Sequence, residues 1–183
     1  IATAYMDSIP MVALTGQVAT KLIGKDAFQE VDITGATLPF TKHSYLIKDG
    51  LDIPRVVNEA FHIANTGRPG PVLIDFPMDL LKKEFDYPDE DEDVNIRGYK
   101  LMGKANESQV KKVAEAIKGA KKPVILAGGG VVISDATNEF RKFVKETDIP
   151  VVSTNHKIGG NDGYRYSSVG QSEILRYDWF TRC

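Results

Sequence analysis

Apolar residues recur along the first part of this chain with strand spacing and with helix spacing in turn. Short runs at 10–14, 40–47 and 71–76 are apolar or β-rich, which is typical of buried strands. Between the last two runs, apolar residues follow a helical spacing: Ile53, Val56, Val57 and Ala60. Asp52 and Pro54 suit the start of that helix, and the sequence Thr-Gly-Arg-Pro-Gly ends it. Strand, helix and strand in this order predict a right-handed βαβ unit with parallel strands.

The second part of the chain shows a similar alternation. It begins with a stripe at helical spacing, made of Val110, Val113, Ala114 and Ile117. Apolar strands are expected at 123–127 and 149–153, with a glycine turn at 128–130 and another helix between them. Ser134 or Asp135 is the expected cap of that helix. The pattern is that of the start of a doubly wound α/β domain.

The composition changes between these two parts. Residues 84–93 contain seven acidic side chains among ten, which is typical of a solvated linker and not of a binding site. We therefore divide the chain into a domain at 1–82, an acidic linker at 83–105 and a second domain at 106–183. Neither domain has as many strands as open α/β sheets usually contain.

Charge and cysteine content narrow the function classes. The 23 basic and 25 acidic residues give a net charge of −2, so nothing favours nucleic acid or an anionic membrane as a partner. No apolar run approaches the ~20 residues that cross a bilayer. Ile1 is neither an initiator methionine nor part of a basic signal-peptide start, so we expect a sequence entered within a longer protein. Cys183 stands alone, which excludes an internal disulfide and fits a reducing cytoplasm.

The loop at 16–30 is the strongest candidate for a ligand site. It follows the first predicted strand, and ligands of parallel α/β sheets bind at the carboxyl ends of strands. Its uncharged amides, Gln17 and Gln29, suit a carbonyl or a phosphate. Two structural alternatives stay open: Phe28 fills the core of an ordinary βα loop, and Gln17 satisfies loop backbone.

Several motifs of the first half resemble the catalytic subunit of acetolactate (acetohydroxyacid) synthase, a thiamine-diphosphate enzyme. They are Gly16-Gln-Val18, Ile23-Gly24, Asp26-Ala-Phe-Gln-Glu30, Thr41-Lys-His-Ser-Tyr45, Glu59-Ala-Phe61 and Gly67-Arg-Pro-Gly-Pro-Val-Leu-Ile-Asp75, in the family's order and spacing. The resemblance covers roughly residues 1–154. It implies a parallel-sheet half of a pyrimidine-binding domain, followed by the start of a Rossmann-like central domain.

The resemblance assigns two catalytic residues and one substrate-channel residue. Phe28 and Gln29 match residues beside the reactive carbon of thiamine diphosphate, across a dimer interface. Lys42 matches a lysine at the mouth of the substrate channel, where a cation attracts anionic 2-keto acids. The alternative for Lys42 is an exposed strand lysine without a useful contact.

The resemblance also implies contacts to flavin adenine dinucleotide (FAD) from Ser8, Arg68, Gly129 and Thr154. A guanidinium suits phosphate or a flavin edge because its donors form a planar fork. Without the resemblance, Arg68 is a turn arginine and Ser8 a helix-end residue. The glycine turn alone is a weak nucleotide signal, because a dinucleotide fingerprint needs a further glycine where Ile133 stands.

Part of the family's machinery has no counterpart in this sequence. The resemblance implies that the cofactor-activating glutamate precedes Ile1, and that the magnesium and diphosphate motif follows Cys183. We therefore expect the chain alone to be inactive. Ala19, Leu38 and Met78 depart from the family's usual proline, arginine and lysine, and residues 155–183 depart more widely.

No metal site is predicted within the chain. The spacing of His43, His62 and His156 suggests no shared ligand set, and we interpret all three as structural. Asp26 and Glu30 are interpreted as capping or pairing locally, without a general-base role.

The resemblance predicts an enzyme that joins two 2-keto acids with decarboxylation, in branched-chain amino-acid biosynthesis. Its expected partners are the substrate, a second copy or higher homo-oligomer, and a regulatory small subunit. Two alternatives stay open. One is another thiamine-dependent carboligase or decarboxylase, and the other is a non-catalytic nucleotide-binding or assembly module.

Overall fold

The computed structural model describes residues 1–86 and 94–154, and the chain divides into two compact units, Ile1–Lys104 and Ala105–Cys183. The described helices and strands of the first unit are α1 (Ala2–Met6), β1 (Met11–Gln17), α2 (Ile33–Thr37), β2 (His43–Leu46), α3 (Ile53–Asn65), β3 (Pro71–Pro77) and α4 (Met78–Leu81). Those of the second unit are α5 (Glu107–Gly119), β4 (Ile125–Ala127), α6 (Gly130–Ile133), α7 (Thr137–Thr147) and β5 (Val151–Ser153).

The first unit is built on a three-stranded parallel sheet with β3 in the middle. The strand order is β1-β3-β2, and Ile74 of β3 lies opposite Leu14 of β1 and Tyr45 of β2. Because β3 is paired on both sides, every residue from Pro71 to Pro77 is buried. This explains why its sequence is a continuous apolar run with one carboxylate and no alternation.

The two faces of this sheet carry different layers. Ile74 belongs to the main core, whose other buried residues come from α3, β3 and the segments beside them: Ile47, Val56, Ala60, Ile63, Ala64, Val72, Phe76 and Leu80. Successive strand residues point to opposite faces, so Leu73 and Ser44 face away from α3. On that side the Thr37 hydroxyl of α2 lies 3.5 Å from the Ser44 hydroxyl.

Helix α3 confirms the predicted periodicity and bounds. Its apolar stripe packs on the sheet, and Pro54 lies in the first turn. Asp52 occupies the N-cap position without a side-chain cap bond, because its carboxylate pairs with Arg55 at 2.8 Å. At the other end, the Thr66 hydroxyl donates to the carbonyl oxygen of His62 at 2.6 Å.

Three residues assigned to the acidic linker take part in the packing of the first unit. Phe85, Ile96 and Tyr99 pack against its core. A Cβ atom on Gly50 would overlap the ring of Phe85, so the missing side chain makes room for that ring. The acidic composition of residues 84–93 gave no indication of these contacts.

The second unit contains a parallel pair, β4 and β5, with Ala127 opposite Ser153. Asn106 caps α5 by accepting from the amides of Ser108 and Gln109. The predicted cap of α7 is wrong. The Ser134 hydroxyl donates back to the carbonyl oxygen of Gly130 at 2.7 Å, since a short helix precedes α7.

An α/β fold with parallel sheets is thus confirmed in both units. Within the part of the chain that the structure describes, no helix has the length and apolar character needed to span a membrane.

The register pair Leu14 and Ile74 tests the position of the core. Ile74 is fully buried and Leu14 is 65% exposed. We expect Ile74→Ala to lower the free energy of unfolding by about 2–5 kcal/mol through transfer and cavity terms. Leu14→Ala is the matched control and should change it by less than about 1 kcal/mol. Urea unfolding followed by circular dichroism measures both, and equal losses would contradict this description of the core.

Candidate functional site

The loop that joins β1 to α2 presents the predicted catalytic residues. It leaves the sheet after Gln17, makes a 3₁₀ turn at Thr20–Leu22 and contains three residues with positive φ. They are Gly24 (φ 78°), Asp26 (φ 52°) and Gln29 (φ 64°). Non-glycine residues in this region are uncommon and are held there by surrounding contacts.

The Glu30 carboxylate holds this loop together. It accepts hydrogen bonds from the amides of Gly24 and Ala27, the latter at 2.9 Å. The same two bonds, Gly24 first, lower the pKa of Glu30 below its usual value. Glu30 therefore pairs locally, in agreement with the interpretation from sequence.

Phe28 and Gln29 lie on the outside of this loop. The Phe28 side chain is 89% exposed and Gln29 is also exposed. The alternative in which Phe28 fills the core is therefore wrong. An exposed aromatic ring on a loop fixed by hydrogen bonds is available for a contact outside the unit.

Gln17 connects the loop to the sheet. Its Nε2 donates to the carbonyl oxygen of Val31 at 2.7 Å and to Oδ2 of Asp75 at 2.9 Å. Its Oε1 accepts from the amide of Val18 at 2.9 Å. These contacts agree with the structural interpretation, in which Gln17 satisfies loop backbone groups.

Asp75 is a buried carboxylate of this network that the sequence analysis did not single out. It lies in the middle strand, is 1% exposed, and accepts from Thr15 Oγ1 at 2.7 Å as well as from Gln17. The available signal was a lone carboxylate inside an apolar strand, because such a group needs donors when buried.

Asp79 fixes the start of the same loop. Its two oxygens accept from the amide of Thr20 at 2.9 Å and from the Thr20 hydroxyl at 2.6 Å. The hydroxyl bond first, and then the amide bond, lower the pKa of Asp79. The loop is thus attached to the sheet region at both of its ends.

Lys42 is half-buried, and its ammonium group caps the end of α3. Its Nζ donates to the carbonyl oxygens of Ile63 and Thr66, the latter at 2.6 Å. Gly70 makes room for its aliphatic stem, since a Cβ there would lie 3.1 Å from Lys42 carbons. The alternative of a lysine without a useful contact is wrong, and its role in a substrate channel stays a prediction.

Two of the residues assigned to FAD contacts are brought together across 60 positions of sequence. Arg68 Nε donates to Ser8 Oγ at 2.8 Å, and Nη2 donates to the carbonyl oxygen of Met6 at 3.1 Å. The guanidinium carbon lies 6.0 Å from the ring centroid of Tyr5. Ser8 has φ 57°, so this contact accompanies an uncommon backbone conformation.

The other two assigned residues follow the two paired strands of the second unit. Gly129 is the N-cap residue of α6 and lies two residues after the end of β4, and Thr154 follows β5. The Thr154 amide donates to the carbonyl oxygen of Ala127 at 2.9 Å. A Cβ on Gly128 would lie 3.5 Å from Thr154 Oγ1. The glycine turn and Thr154 thus lie at one edge of the parallel pair.

The histidines make aromatic contacts where the structure describes them. The His43 ring lies 4.4 Å from that of Tyr45, and the His62 ring lies 5.8 Å from that of Tyr99. His156 lies outside the described residues. Among residues 1–86 and 94–154 there is no group of three or more His, Cys, Asp or Glu side chains placed to hold a metal ion.

Comparisons with known proteins agree with the family that the sequence motifs indicated. Acetolactate synthase of Mycobacterium leprae is 50% identical over 172 residues, which is 93% of this chain and 27% of that protein. The acetolactate synthase large subunit of Mycobacterium tuberculosis is 51% identical over 156 residues, which is 84% of this chain and 25% of that protein. The acetolactate synthase large subunit of Buchnera aphidicola subsp. Schizaphis graminum is 46% identical, over 92% of this chain and 30% of that protein.

This chain is homologous to the acetolactate synthase large subunit. It spans about a quarter of the length of these curated relatives. The family model for the central domain of thiamine pyrophosphate enzymes matches residues 110–174. A solved Mycobacterium smegmatis protein, described as a thiamin diphosphate-dependent enzyme, has a similar fold, with a TM-score of 0.67. It is 23% identical and is covered over 29% of its length by 84% of this chain.

The similarity to acetolactate synthase continues beyond the motifs that were visible in the sequence. The family model reaches residue 174, and the Mycobacterium leprae relative aligns over 93% of the chain. The limit at residue 154 was therefore too short. Residues 155–183 lie outside the described structure.

The hydrogen bonds of Glu30 predict a titration that nuclear magnetic resonance can follow. A lowered pKa means that these bonds persist above the unfolded-state pKa and are lost as pH falls through the folded-state value. We expect the amide protons of Gly24 and Ala27 to shift together, with a midpoint below the ordinary glutamate value of 4.5.

In Glu30→Gln both amide shifts should lose this titration. The matched control is Glu59→Gln, which removes a carboxylate that accepts from Tyr45 and Arg55 instead. A midpoint at or above 4.5 would contradict the described bonds.

Proposed function

We propose that these residues are part of an acetolactate synthase that joins two 2-keto acids with release of carbon dioxide. The substrates are two pyruvate molecules, or pyruvate and 2-ketobutyrate, and the product enters branched-chain amino-acid biosynthesis. One observation carries the proposal: the exposed Phe28–Gln29 pair, on a loop fixed at the sheet's carboxyl edge. The homology to acetolactate synthase supports it.

We further propose that residues 1–82 belong to a pyrimidine-binding domain and residues 106–183 to a central domain, with 83–105 between them. The parallel sheet of the first unit, with its loop at the carboxyl edge, supports the first assignment. The match of residues 110–174 to a central-domain family supports the second.

Thiamine diphosphate fits the exposed pair. When bound, this cofactor supplies a nucleophilic carbon and takes up the electron pair left by departing carbon dioxide. The Gln29 amide offers a donor and an acceptor, and the Phe28 ring offers an apolar surface that excludes water. The magnesium and diphosphate ligands are proposed to come from residues outside this chain.

FAD contacts are proposed for Arg68 and Ser8, and separately for Gly129 and Thr154. The Arg68 guanidinium is exposed and held over Tyr5, so a planar cation is displayed at a fixed place. The turn at Gly129 lets backbone approach a nucleotide at the end of a parallel strand.

Lys42 is the weakest of the proposed ligand contacts. To meet a 2-keto acid in a channel, its ammonium would have to leave the carbonyl oxygens at the end of α3. Its attraction for anions through the local field does not require that exchange.

The proposed partners are a second copy of the chain's protein and a regulatory small subunit. The edge strand β1 carries the exposed side chain of Leu14, which an added surface would cover. The same exposed side chain on an edge strand favours the second candidate function, a non-catalytic assembly module. Another thiamine-dependent carboligase or decarboxylase is the alternative within the same enzyme class.

Acetolactate formation separates these candidates. The complete protein that contains these residues should form acetolactate from pyruvate only when thiamine diphosphate and Mg²⁺ are present. We expect Gln29→Ala to lower kcat by about 10- to 100-fold, because a hydrogen bond near the reacting atoms is lost. Gln109→Ala is the matched control, since it removes an exposed glutamine side chain from α5, and it should leave kcat unchanged.

Other outcomes of that assay identify the alternatives. Acetaldehyde or a different ligation product would indicate another thiamine-dependent enzyme. Absence of thiamine-dependent turnover from the complete protein would contradict the enzyme proposal.

Flavin binding tests the proposed role of Arg68. Arg68→Lys keeps the charge but loses the planar fork, so we expect FAD affinity to fall about tenfold or more. Arg97→Lys, in the same unit, is the control. Quenching of flavin fluorescence gives both dissociation constants, and equal affinity in the two variants would contradict the assignment.

A further inference from the structure

We propose that Asp75 is a positioning residue, which holds the Phe28–Gln29 loop in place through Gln17. The proposal rests on the proposed function for its catalytic consequence. Its structural part rests only on hydrogen bonds between the middle strand and the loop.

The chain of contacts starts in the core and ends beside the exposed pair. Asp75 is 1% exposed, and its Oδ2 accepts from Gln17 Nε2 at 2.9 Å. The same Nε2 donates to the carbonyl oxygen of Val31 at 2.7 Å. Val31 follows directly after Phe28, Gln29 and Glu30 in the sequence.

The Gln17 amide is fully committed by this arrangement. Nε2 uses its two hydrogens for Asp75 and Val31, and Oε1 accepts from the amide of Val18. Because a carboxylate oxygen accepts hydrogen bonds, Asp75 fixes which end of the amide points into the sheet. It thereby fixes which end is available to the Val31 carbonyl.

The loop transmits this anchor to Gln29. The Glu30 carboxylate accepts from the amides of Gly24 and Ala27, so hydrogen bonds hold residues 24–30 together as one segment. The amide of Glu30 also donates to the Ala27 carbonyl at 2.9 Å. Val31 is the next residue, so loss of its bond to Gln17 releases the C-terminal end of this segment. A displacement of about 1 Å at a reacting group lowers rates markedly.

The side chains around Asp75 offer matched variants. Gln17→Met removes both donated bonds at similar size, and Asp75→Ala removes the acceptor. Asp75→Asn can orient its oxygen to Gln17 and its amide to the Thr15 hydroxyl, so the link survives. Thr15→Val removes the other bond to Asp75 but leaves Gln17 and Val31 untouched.

The test measures hydrogen exchange of the peptide covering residues 20–32, together with acetolactate kinetics, in the complete protein. We expect Gln17→Met and Asp75→Ala to speed that exchange about tenfold and to lower kcat by a similar factor with little change in KM. Thr15→Val should stay within about twofold of the wild type in both, and Asp75→Asn should restore the wild-type exchange.

The double variant separates positioning from general destabilisation. If Asp75 acts through Gln17, Asp75→Ala adds nothing to loop exchange in the Gln17→Met background. Additive effects, or an equal loosening by Thr15→Val, would overturn the proposal. If Asp75→Ala does not fold, the comparison of Gln17→Met with Thr15→Val decides.

The two proposals can fail independently. A wild-type protein that forms no acetolactate contradicts the proposed function, and loop exchange alone then decides the role of Asp75. A wild-type protein that forms acetolactate, with exchange and kcat unchanged in Gln17→Met, contradicts the role of Asp75 alone.

Discussion

The pairing of β3 on both sides is the constraint on which the first unit depends. A central parallel strand exposes neither edge, and with layers on both faces all of its side chains are removed from water. The three strands run in one direction, so their carboxyl ends lie at one edge of the sheet. That edge is where the loop after β1 leaves, and it is where Phe28 and Gln29 are displayed.

A carboxylate in such a strand is costly unless donors meet it. In this unit the two donors come from the neighbouring strand, from Thr15 and Gln17. The alternation of β1 places both on the same face, two residues apart, where β3 presents Asp75. The most buried polar group of the sheet is therefore also its connection to the exposed loop.

Sequence periodicity predicted the strands and the longer helices, but it predicted neither the short helices α2, α4 and α6 nor the contacts between elements. The runs at 10–14 and 71–76 and the stripe of α3 predicted β1, β3 and α3, because local spacing reports which face is buried. The contacts of Lys42 with the end of α3 and of Arg68 with Ser8 join residues far apart, and no local pattern encodes such pairs.

The candidate site was predicted unevenly for the same reason. The resemblance indicated Phe28 and Gln29, whose exposure is now described, but it did not indicate how their loop is held. Helix caps were also difficult, because several polar residues compete near a helix start. The Ser134 hydroxyl donates to the carbonyl oxygen of Gly130, and Ala136 occupies the N-cap position of α7.

We propose that the loop of residues 24–30 faces the cofactor of a thiamine-diphosphate enzyme. Determining the structure of the complete protein with thiamine diphosphate bound tests it most directly. Side-chain atoms of Phe28 and Gln29 should then lie within about 4 Å of the cofactor. A bound cofactor with this loop turned away from it, and other residues in those contacts, would contradict this placement of the loop.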